Sequence, residues 1–490
     1  MIAPPDINWL AILPVLILGL GAALVLLIEV QWKPRLRLLC QVTGLVLAAA
    51  GSGAIIQGWW LGGLASEEKT AAIVLPFGRM VVVDGFSVFA NVLLAAVALT
   101  GLAAGWRFFE SLGRRGAEAL SLVLLSTAGF SIMASTPHLV MMFLGLEIGS
   151  ISLYVLAGFA RQEARSEEAA IKYFLLGSFA SAIFIYGVAL LFAGTGSLHL
   201  FDQRAFLETN IVLRPGVLLA GLGLAVVGLA FKVTAAPFHS WAPDVYQGAP
   251  AGVVGFMAAA AKVGGFAALA RLLYTGFGEY VGVWATVVAG IAVLSMLVGS
   301  FLAVVQDDLR RLLAYSGVAH AGFILTGLVA GRPGTGGVWF YLAVYTIQLV
   351  GAYAVVAAVS GPASAGSALS AYTGLGRRQP FLAAGLTVLL LGMAGIPLTS
   401  GFIAKFGVFQ DAWQAGYGWL VVAALVASVV SFFIYLRVIV AMYMGDVDEG
   451  PSPSVAPPVR AVLVVAMVVT LFFGLIPAPL LRLAANALPL

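Results

Sequence analysis

The chain is built from long, uninterrupted apolar runs, and this feature constrains its fold more than any other. A helix needs about 20 apolar residues to cross the hydrocarbon core of a bilayer. Such runs recur along the whole sequence, near 7–30, 38–60, 84–106, 117–136, 138–160, 169–194, 211–236, 249–274, 282–304, 311–330, 337–360, 380–410, 418–443 and 459–484. They predict an all-α, polytopic membrane protein of about 14 transmembrane helices. Because the runs are continuous rather than alternating, they exclude a β-barrel.

The composition agrees with lipid as the main solvent of the chain. Of 490 residues, 62% are hydrophobic and 9% are charged, whereas a soluble domain carries roughly 25% charged residues. The basic residues are scattered and form no stripe, so no nucleic-acid partner is predicted. With one cysteine, Cys40, neither a disulfide framework nor a Cys-ligated metal or iron–sulfur site is predicted.

Two of the predicted helices are interrupted by proline or glycine. The seventh run meets Pro237 and Pro243, and the twelfth contains Gly395, Pro397 and Gly401. Proline removes a backbone donor and kinks a helix. In lipid, the freed backbone groups are tolerated only where protein or water satisfies them. Two breaks that lie five helices apart have opposite orientations in the membrane, which is typical of an inverted-topology repeat.

We therefore predict a single transmembrane bundle with two inverted five-helix repeats and with broken helices 7 and 12. It comprises helices 1–3 in residues 1–110, helices 4–8 in 117–274, helices 9–13 in 282–443, and helix 14 in 459–484, within a bundle of residues 1–490. A small hairpin is predicted around Pro76–Gly78, and 195–210 is read as a polar loop. The distribution of Lys and Arg places both termini outside the cytoplasm.

Four of the six lysines lie in or at the edge of apolar runs, namely Lys172, Lys232, Lys262 and Lys405. A lysine at the centre of a membrane helix costs roughly 2.5–3.5 kcal/mol on insertion scales. Burial lowers the pKa of a lysine readily, whereas arginine stays protonated. A buried lysine is therefore a suitable residue where a side chain must gain and lose a proton. The alternatives are structural ion pairs in the core and, for Lys172 near a helix end, snorkelling of the ammonium to the interface.

A carboxylate and two histidines complete the candidate set. Glu147 is mid-helix with no charged residue nearby in sequence, and we expect it to reach Lys232 as an ion pair or through one water. His239 lies at the first break and His320 inside an apolar helix; both could relay protons, or both could be satisfied core histidines. No two histidines have the spacing of metal ligands, so no metal site is predicted.

The positions of the candidate residues, on different apolar helices, suggest that they act together. Ionisable groups on different apolar helices cannot all face lipid. If they formed one continuous line inside the bundle, water and neighbouring polar groups would solvate all of them. We predict one hydrated line through the bundle centre that contains Lys172, Glu147, Lys232, Lys262, His320 and Lys405.

Several longer motifs carry a resemblance to a known family. They are FKVTAAPFHSWAPDVYQGAP followed by Lys262, GIPLTSGFIAKF, QDDLRRLLAYSGVAHAGF and IKYFLLGSFASAIFIYGVALL. Together they resemble the antiporter-like membrane subunits of respiratory complex I, and APDVYQGAP and GIPLTSGFIAKF are similar to the N-type members. Two departures are Arg310, where relatives often have Lys, and Gly317, where they often repeat Ser.

The resemblance implies a role for each candidate residue. Glu147 matches the essential glutamate of helix five, Lys232 the lysine of broken helix seven, and Lys262 the central lysine of helix eight. Lys405 matches the lysine of helix twelve that opens toward the periplasm. Lys172 and His320 match further members of the central polar axis, and His239 matches the histidine of the broken helix.

The resemblance also implies a function. The chain would be a proton-translocating subunit of NADH:quinone oxidoreductase in the bacterial inner membrane. It would hold no cofactor itself, and NADH, FMN, iron–sulfur clusters and quinone would bind partner subunits. Its partners would be other membrane subunits, including antiporter-like neighbours, and the lipid bilayer. The alternatives are a subunit of a sodium/proton antiporter, a subunit of a hydrogenase-type membrane complex, and a structural scaffold.

Overall fold

The computed structural model describes residues 8–68, 79–160, 163–210, 215–361, 367–445 and 453–489. This part of the chain contains helices and no strand. Its α-helices are α1 (Leu13–Trp32), α2 (Leu36–Glu68), α3 (Gly85–Ala104), α4 (Trp106–Ser111), α5 (Gly116–Ala134), α6 (Leu139–Ala157), α7 (Ala164–Thr195), α8 (Leu200–Thr209), α9 (Gly216–Lys232), α10 (Trp241–Gly248), α11 (Ala251–Ala270), α12 (Val281–Val304), α13 (Leu309–Leu328), α14 (Thr335–Ser360), α15 (Leu375–Arg378), α16 (Pro380–Ala394), α17 (Ser400–Gln414), α18 (Gly418–Met444), α19 (Pro457–Leu475) and α20 (Ala478–Ala485).

The all-α, polytopic class is confirmed. Within the described ranges, 11 helices are long and apolar enough to cross a bilayer. Two further apolar helices, α9 and α16, are shorter because each ends at a break. The hairpin predicted around Pro76–Gly78 lies outside the described residues.

Two helices, α11 and α14, form the centre of the bundle. All of the most apolar window of α11 and 89% of that of α14 are buried, against 28% for α1 and for α19. A helix that is apolar on every side belongs inside a bundle, whereas α1 and α19 turn much of their surface to lipid. Small residues allow the central helices to approach closely. At Gly101 of α3, for example, a Cβ atom would lie 2.7 Å from Cβ of Phe256 on α11.

The predicted break in the seventh run is present between α9 and α10. The helix ends at Lys232 and resumes at Trp241. The backbone groups freed by the break find partners inside the protein. Ala236 donates its N–H to Oγ of Ser295 on α12 at 2.8 Å, and Trp241 donates its indole N–H to the carbonyl oxygen of Phe231 at 3.1 Å. The break is thus a packed element, as the apolar surroundings require.

The predicted break in the twelfth run separates α16 from α17. α16 ends at Ala394, and Gly395 follows with φ of +83°, a left-handed conformation that glycine adopts without strain. α17 begins at Ser400. Near the C-terminus, the run predicted at 459–484 is divided into α19 and α20, because Pro477 cannot continue the hydrogen bonding of α19.

Candidate functional site

Lys262 lies in the middle of the wholly buried helix α11, with its side chain 1% exposed. Its ammonium donates a hydrogen bond to the carbonyl oxygen of Val233 at 3.0 Å and another to the hydroxyl of Thr234. Both acceptors belong to the segment between α9 and α10. In an unbroken helix the Val233 carbonyl would accept from the backbone four residues later. The break therefore supplies the acceptors that hold Lys262.

Lys232 is the last residue of α9 and is also 1% exposed. Its Nζ atom lies 3.4 Å from the hydroxyl of Tyr173. The same atom lies 5.9, 5.4 and 5.2 Å from the ring centroids of Phe130, Tyr154 and Tyr173. Faces of aromatic rings attract a cation. Three rings and one hydroxyl thus surround this ammonium.

Glu147 lies on α6, which also carries Tyr154. Its Oε1 atom is buried and has no hydrogen-bond partner among the described residues. Glu147 and Lys232 interact electrostatically, but the described residues form no direct ion pair between them within 4.0 Å. The structure thus contains no direct Glu147–Lys232 ion pair, and the rings of Phe130, Tyr154 and Tyr173 lie around the ammonium. A link through water stays a prediction.

His320 lies on α13 and is 2% exposed. Its Nδ1 atom is 2.9 Å from the hydroxyl of Tyr341, and its Nε2 atom is 3.2 Å from that of Tyr435. The Tyr435 hydroxyl also pairs with Ser316 at 2.5 Å. The ring of Tyr345 stacks on the imidazole with centroids 4.2 Å apart. Because a hydroxyl both donates and accepts, this cluster suits every protonation state of the histidine.

Lys405 lies on α17, just beyond the second break, and is 5% exposed. Its ammonium donates to the carbonyl oxygen of Ala394, the last residue of α16, at 2.8 Å and to the hydroxyl of Ser428 on α18 at 2.8 Å. It also lies 4.6 Å from the ring centroid of Phe323, one turn after His320 on α13. Each break in the bundle thus provides a carbonyl acceptor for a buried lysine.

Lys172 differs from the other three lysines because its side chain is 42% exposed. It forms ion pairs with Glu168 at 2.7 Å and with Asp244 at 2.9 Å. Asp244 in turn pairs with Arg311 at 2.6 Å. These contacts join α7, α10 and α13 at the edge of the bundle. The structure does not bring Lys172 into contact with the buried candidates.

His239 lies in the segment between α9 and α10 and is half-buried. Its ring centroid is 6.2 Å from that of Tyr315 on α13, and its Nδ1 atom has no hydrogen-bond partner among the described residues. The neighbouring residues Pro237 and Ser240 are exposed. His239 therefore lies on the outer side of the break, whereas Lys262 binds its inner side.

Sequence reasoning did not select several polar groups that the structure places at or near the candidates. Asp244 was part of the APDVYQGAP motif but was not chosen, and its pairing with Arg311 depends on the packing of two distant segments. Tyr341, Tyr345 and Tyr435 pack around His320 and were not among the predicted site residues. No sequence signal separates these tyrosines from ordinary core residues.

A buried ion pair between Asp84 and Arg271 was also not selected. Arg271 is 0% and Asp84 is 1% exposed, and two hydrogen bonds of 2.9 and 3.0 Å join the two side chains. Arg271 also donates to the carbonyl oxygen of Ala134. The signal was present, since both residues lie within or at the start of apolar runs, where a charge needs a partner.

No group of three or more His, Cys, Asp or Glu side chains is placed to hold a metal ion in the part of the chain that the structure describes. The four best-buried candidates, Lys232, Lys262, His320 and Lys405, are instead held by hydroxyls, carbonyl oxygens and aromatic rings. Such an arrangement can hold and pass protons, because each hydroxyl can accept one hydrogen bond while it donates another.

Residues 136–431 match the family model described as NADH:quinone oxidoreductase/Mrp antiporter, transmembrane. NADH-quinone oxidoreductase subunit N 3 of Streptomyces griseus is 40% identical, with 99% of this chain and 94% of the relative covered.

Two solved structures are similar as well. A chain of respiratory complex I from Thermus thermophilus has a TM-score of 0.78 and 34% identity, and covers 96% of this chain and 99% of its own. A chain of the archaeal membrane-bound sulfane sulfur reductase has a TM-score of 0.84 at 23% identity, with 98% and 97% covered, and shares the fold.

These matches confirm the resemblance that the motifs predicted. Matched by the family model over more than half of its length, and by a subunit N relative over nearly all of it, the chain belongs to the antiporter-like membrane subunits of NADH:quinone oxidoreductase.

Proposed function

We propose that the chain is a proton-translocating membrane subunit of an NADH:quinone oxidoreductase. The observation that carries this function is the environment of Lys262: an ammonium in the centre of a wholly buried helix, held by acceptors that a helix break provides. A permanently charged side chain would be costly at this position. A lysine that exchanges protons can become neutral and so avoid part of that cost. Family membership agrees with this function.

The proposed proton-transfer residues are the seven that were predicted from the sequence. They are Glu147, Lys172, Lys232, His239, Lys262, His320 and Lys405. Lys232 and Lys262 lie at the same break, since Val233, which accepts from Lys262, directly follows Lys232. His320 and Lys405 both lie against the ring of Phe323. Lys172 would enter this line from the edge of the bundle, through its contact with Asp244.

Coulomb coupling can move charge between such sites. Two unit charges about 10 Å apart interact by about 2 kcal/mol at an effective dielectric constant of ~20. That energy changes a protonation equilibrium by more than tenfold. A change of charge at Lys232 or Glu147 would therefore alter proton occupancy at Lys262, and the effect would continue toward His320 and Lys405.

The redox chemistry would take place in partner subunits. Oxidation of NADH through FMN and iron–sulfur clusters to quinone would supply the free energy, and the chain itself would contribute the proton path. Its direct neighbours would be other membrane subunits, including antiporter-like ones, and lipid. We place the chain in the bacterial inner membrane as a multi-pass protein with both termini on the periplasmic side.

We also propose 14 transmembrane helices with two inverted repeats, α5 to α11 and α12 to α18. Matching contacts support this organisation. A Cβ atom at Gly129 would lie 2.7 Å from the carbonyl oxygen of Gly145, and one at Gly299 would lie 2.7 Å from that of Tyr315. The two glycines are equally far in sequence from their partners. In this register Glu147 of α6 corresponds to Gly317 of α13.

Measurements on the assembled oxidoreductase in proteoliposomes test the proposed function. Lys262→Ala should lower the rate of NADH-driven proton transport at least about tenfold, since one proton-transfer group contributes about 10²-fold or more. Lys33→Ala, at an exposed lysine, is the matched control and should transport normally. Full transport with Lys262→Ala would contradict the proposal.

The alternative functions give different results. A sodium/proton antiporter subunit would exchange ions in the absence of NADH and of the flavoprotein subunits. A scaffold would tolerate Lys232→Ala and Glu147→Gln without loss of transport. Assembly of each variant complex, measured by native gel electrophoresis, separates a loss of proton transfer from a loss of the complex.

A further inference from the structure

Two histidines that are distant in the sequence meet at one isolated β-bridge. His138, in the connection between α5 and α6, pairs antiparallel with His199, in the connection between α7 and α8. Two backbone hydrogen bonds of 2.9 Å, donated across the bridge by Leu139 and Leu200, flank the pair. Residues that face each other between such bonds have their Cα atoms about 4.5 Å apart and their side chains on one face. The two imidazoles are therefore neighbours.

Each of the two imidazoles has a buried nitrogen without a partner. Nδ1 of His138 and Nδ1 of His199 form no hydrogen bond among the described residues. His199 is 6% exposed, and its Nε2 atom lies 2.9 Å from the carbonyl oxygen of Arg79. Because a carbonyl oxygen only accepts, Nε2 carries the proton of the neutral ring, and Nδ1 presents a lone pair. Histidines that bind metal ions have this arrangement, in which the second nitrogen donates to a carbonyl or carboxylate oxygen.

A third buried acceptor lies one turn further along α8. Gln203 is 0% exposed, and its Oε1 atom has no hydrogen-bond partner within the described ranges. Its amide nitrogen donates to the carbonyl oxygen of Ser197 at 2.8 Å. The side chain thus folds back toward the connection that carries His199. Buried acceptors without partners are destabilising, and a cation bound beside the bridge would satisfy them.

The chemistry of these acceptors selects a class of ion. Imidazole nitrogen is a ligand for Zn²⁺, Ni²⁺ and Cu²⁺, whereas Ca²⁺ and Mg²⁺ prefer oxygen ligands. We propose that His138 and His199 bind a divalent transition-metal ion through their Nδ1 atoms, with Oε1 of Gln203 as a third ligand and water as the remainder. The spacing of the histidines in the sequence did not predict this site, because the packing of two connections creates it.

The position of the site gives the ion a structural effect on the central helix. Leu200, which follows His199, is buried against the end of α11: a Cβ atom at Gly276 would lie 2.8 Å from its Cδ2 atom. On the other side of the bridge, Ala134 accepts hydrogen bonds from Arg271, the residue that follows α11. An ion that joins the two connections would fasten both over this end of α11. The inference goes beyond the proposed function, since it uses none of the proposed proton-transfer residues.

The zinc-binding capacity of the assembled complex tests the site. The complex is treated with EDTA, and its binding of Zn²⁺ is then titrated by equilibrium dialysis. His138→Ala and His199→Gln should each bind one ion fewer than the unmodified complex; the glutamine keeps an N–H donor for the Arg79 carbonyl but removes the imidazole. His239→Gln is the matched control, since His239 also has an unpartnered Nδ1 but lies between α9 and α10. Equal zinc binding by all four complexes would overturn the proposal.

Thermal unfolding provides a second measurement with the same complexes. Zn²⁺ should raise the unfolding midpoint of the unmodified complex and of His239→Gln, and should leave that of His138→Ala and His199→Gln nearly unchanged, because a ligand stabilises only the folded state that binds it. A rise of equal size in all four complexes would contradict the site.

Should a variant fail to assemble, a high-resolution cryo-EM map of the unmodified complex with Zn²⁺ decides. Density about 2.0–2.1 Å from Nδ1 of both His138 and His199 is expected. Density near 2.8 Å, the distance of a hydrogen-bonded water, or no density at all contradicts the proposal. None of these measurements depends on proton transport, so a failure of the metal site leaves the proposed function to be decided by Lys262→Ala.

Discussion

Nζ of Lys262 lies 3.0 Å from the carbonyl oxygen of Val233, so a lysine at the centre of α11 is held by the break between α9 and α10. The contact explains why an interrupted helix and a buried charge occur together in an otherwise apolar bundle. The break exposes an acceptor that a continuous helix would use internally. Lys405 and Ala394 repeat the arrangement at the second break.

Thr234 supplies the second acceptor for Lys262, and its hydroxyl can be removed with little change of shape. Thr234→Val should reduce NADH-driven proton transport about fivefold, because Lys262 loses one hydrogen bond with a net free energy of about 1 kcal/mol. Transport into proteoliposomes is the measurement. Thr286→Val is the control, since Thr286 is exposed on α12 and, among the described residues, its hydroxyl donates to the carbonyl oxygen of Gly282 on the same helix. Equal behaviour of the two variants would argue against a role for Thr234.

The ion pairs of Lys172 lie at the edge of the bundle, which predicts a smaller effect than at Lys262. Half-exposed ion pairs contribute up to about 1 kcal/mol. We expect Lys172→Ala to retain more transport than Lys262→Ala. A double-mutant cycle with Asp244→Asn should give a coupling energy below about 1 kcal/mol in thermal unfolding. A loss of transport with Lys172→Ala as complete as with Lys262→Ala would place Lys172 in the essential path.

The Asp84–Arg271 pair is fully buried, so the removal of one partner should be severe. Asp84→Asn leaves the Arg271 charge without its counter-charge and should destabilise the protein by about 3–5 kcal/mol. Thermal unfolding of the purified complex, or loss of assembly, measures this effect. The double variant Asp84→Asn with Arg271→Met should be less damaging than Asp84→Asn alone, because it leaves no unpaired charge. A single variant as stable as the unmodified protein would show that the pair is dispensable.

His199, in the connection between α7 and α8, gives a pH dependence outside the membrane helices. Burial lowers the pKa of His199 below its ordinary value of about 6.5, and this outweighs the opposing effect of the hydrogen bond between Nε2 and the carbonyl oxygen of Arg79, which lies 2.9 Å away. The neutral form is therefore favoured in the folded state. Its stabilising contribution is complete above about pH 6.5 and is lost as the pH falls below that value. His199→Gln should flatten the acid side of the stability profile, measured by thermal unfolding between about pH 5 and 8.

The helices and the buried lysines could be predicted from sequence because both rest on the energetics of transfer into lipid. Long apolar runs have no other stable structure in a membrane, and Lys232, Lys262 and Lys405 stand out against them. The breaks followed from Pro237 and Pro243 beside the seventh run and from Gly395, Pro397 and Gly401 within the twelfth. That aromatic rings lie next to the Lys232 ammonium could not be predicted, since Phe130, Tyr154 and Tyr173 come from three different helices.

Other features depended on packing that sequence reasoning did not capture. The connection 195–210, read as a polar loop, contains α8, where Leu200, Gln203 and Leu207 are buried on one face. Their helical spacing was a usable signal. For the hydroxyls around His320, by contrast, no pattern in the sequence indicates that they lie next to a histidine. Tyr345 and Tyr435 resemble any core tyrosine until α13, α14 and α18 are packed together.

The central claim is that Lys262 gives up and regains a proton during turnover. Replacement by arginine tests it most directly, because arginine keeps a positive charge and its hydrogen-bond donors but does not release its proton. In the assembled oxidoreductase, Lys262→Arg should transport protons as poorly as Lys262→Ala, at least about tenfold more slowly than the unmodified complex. NADH-driven proton transport at the unmodified rate with Lys262→Arg would show that Lys262 supplies only charge, and would contradict the account.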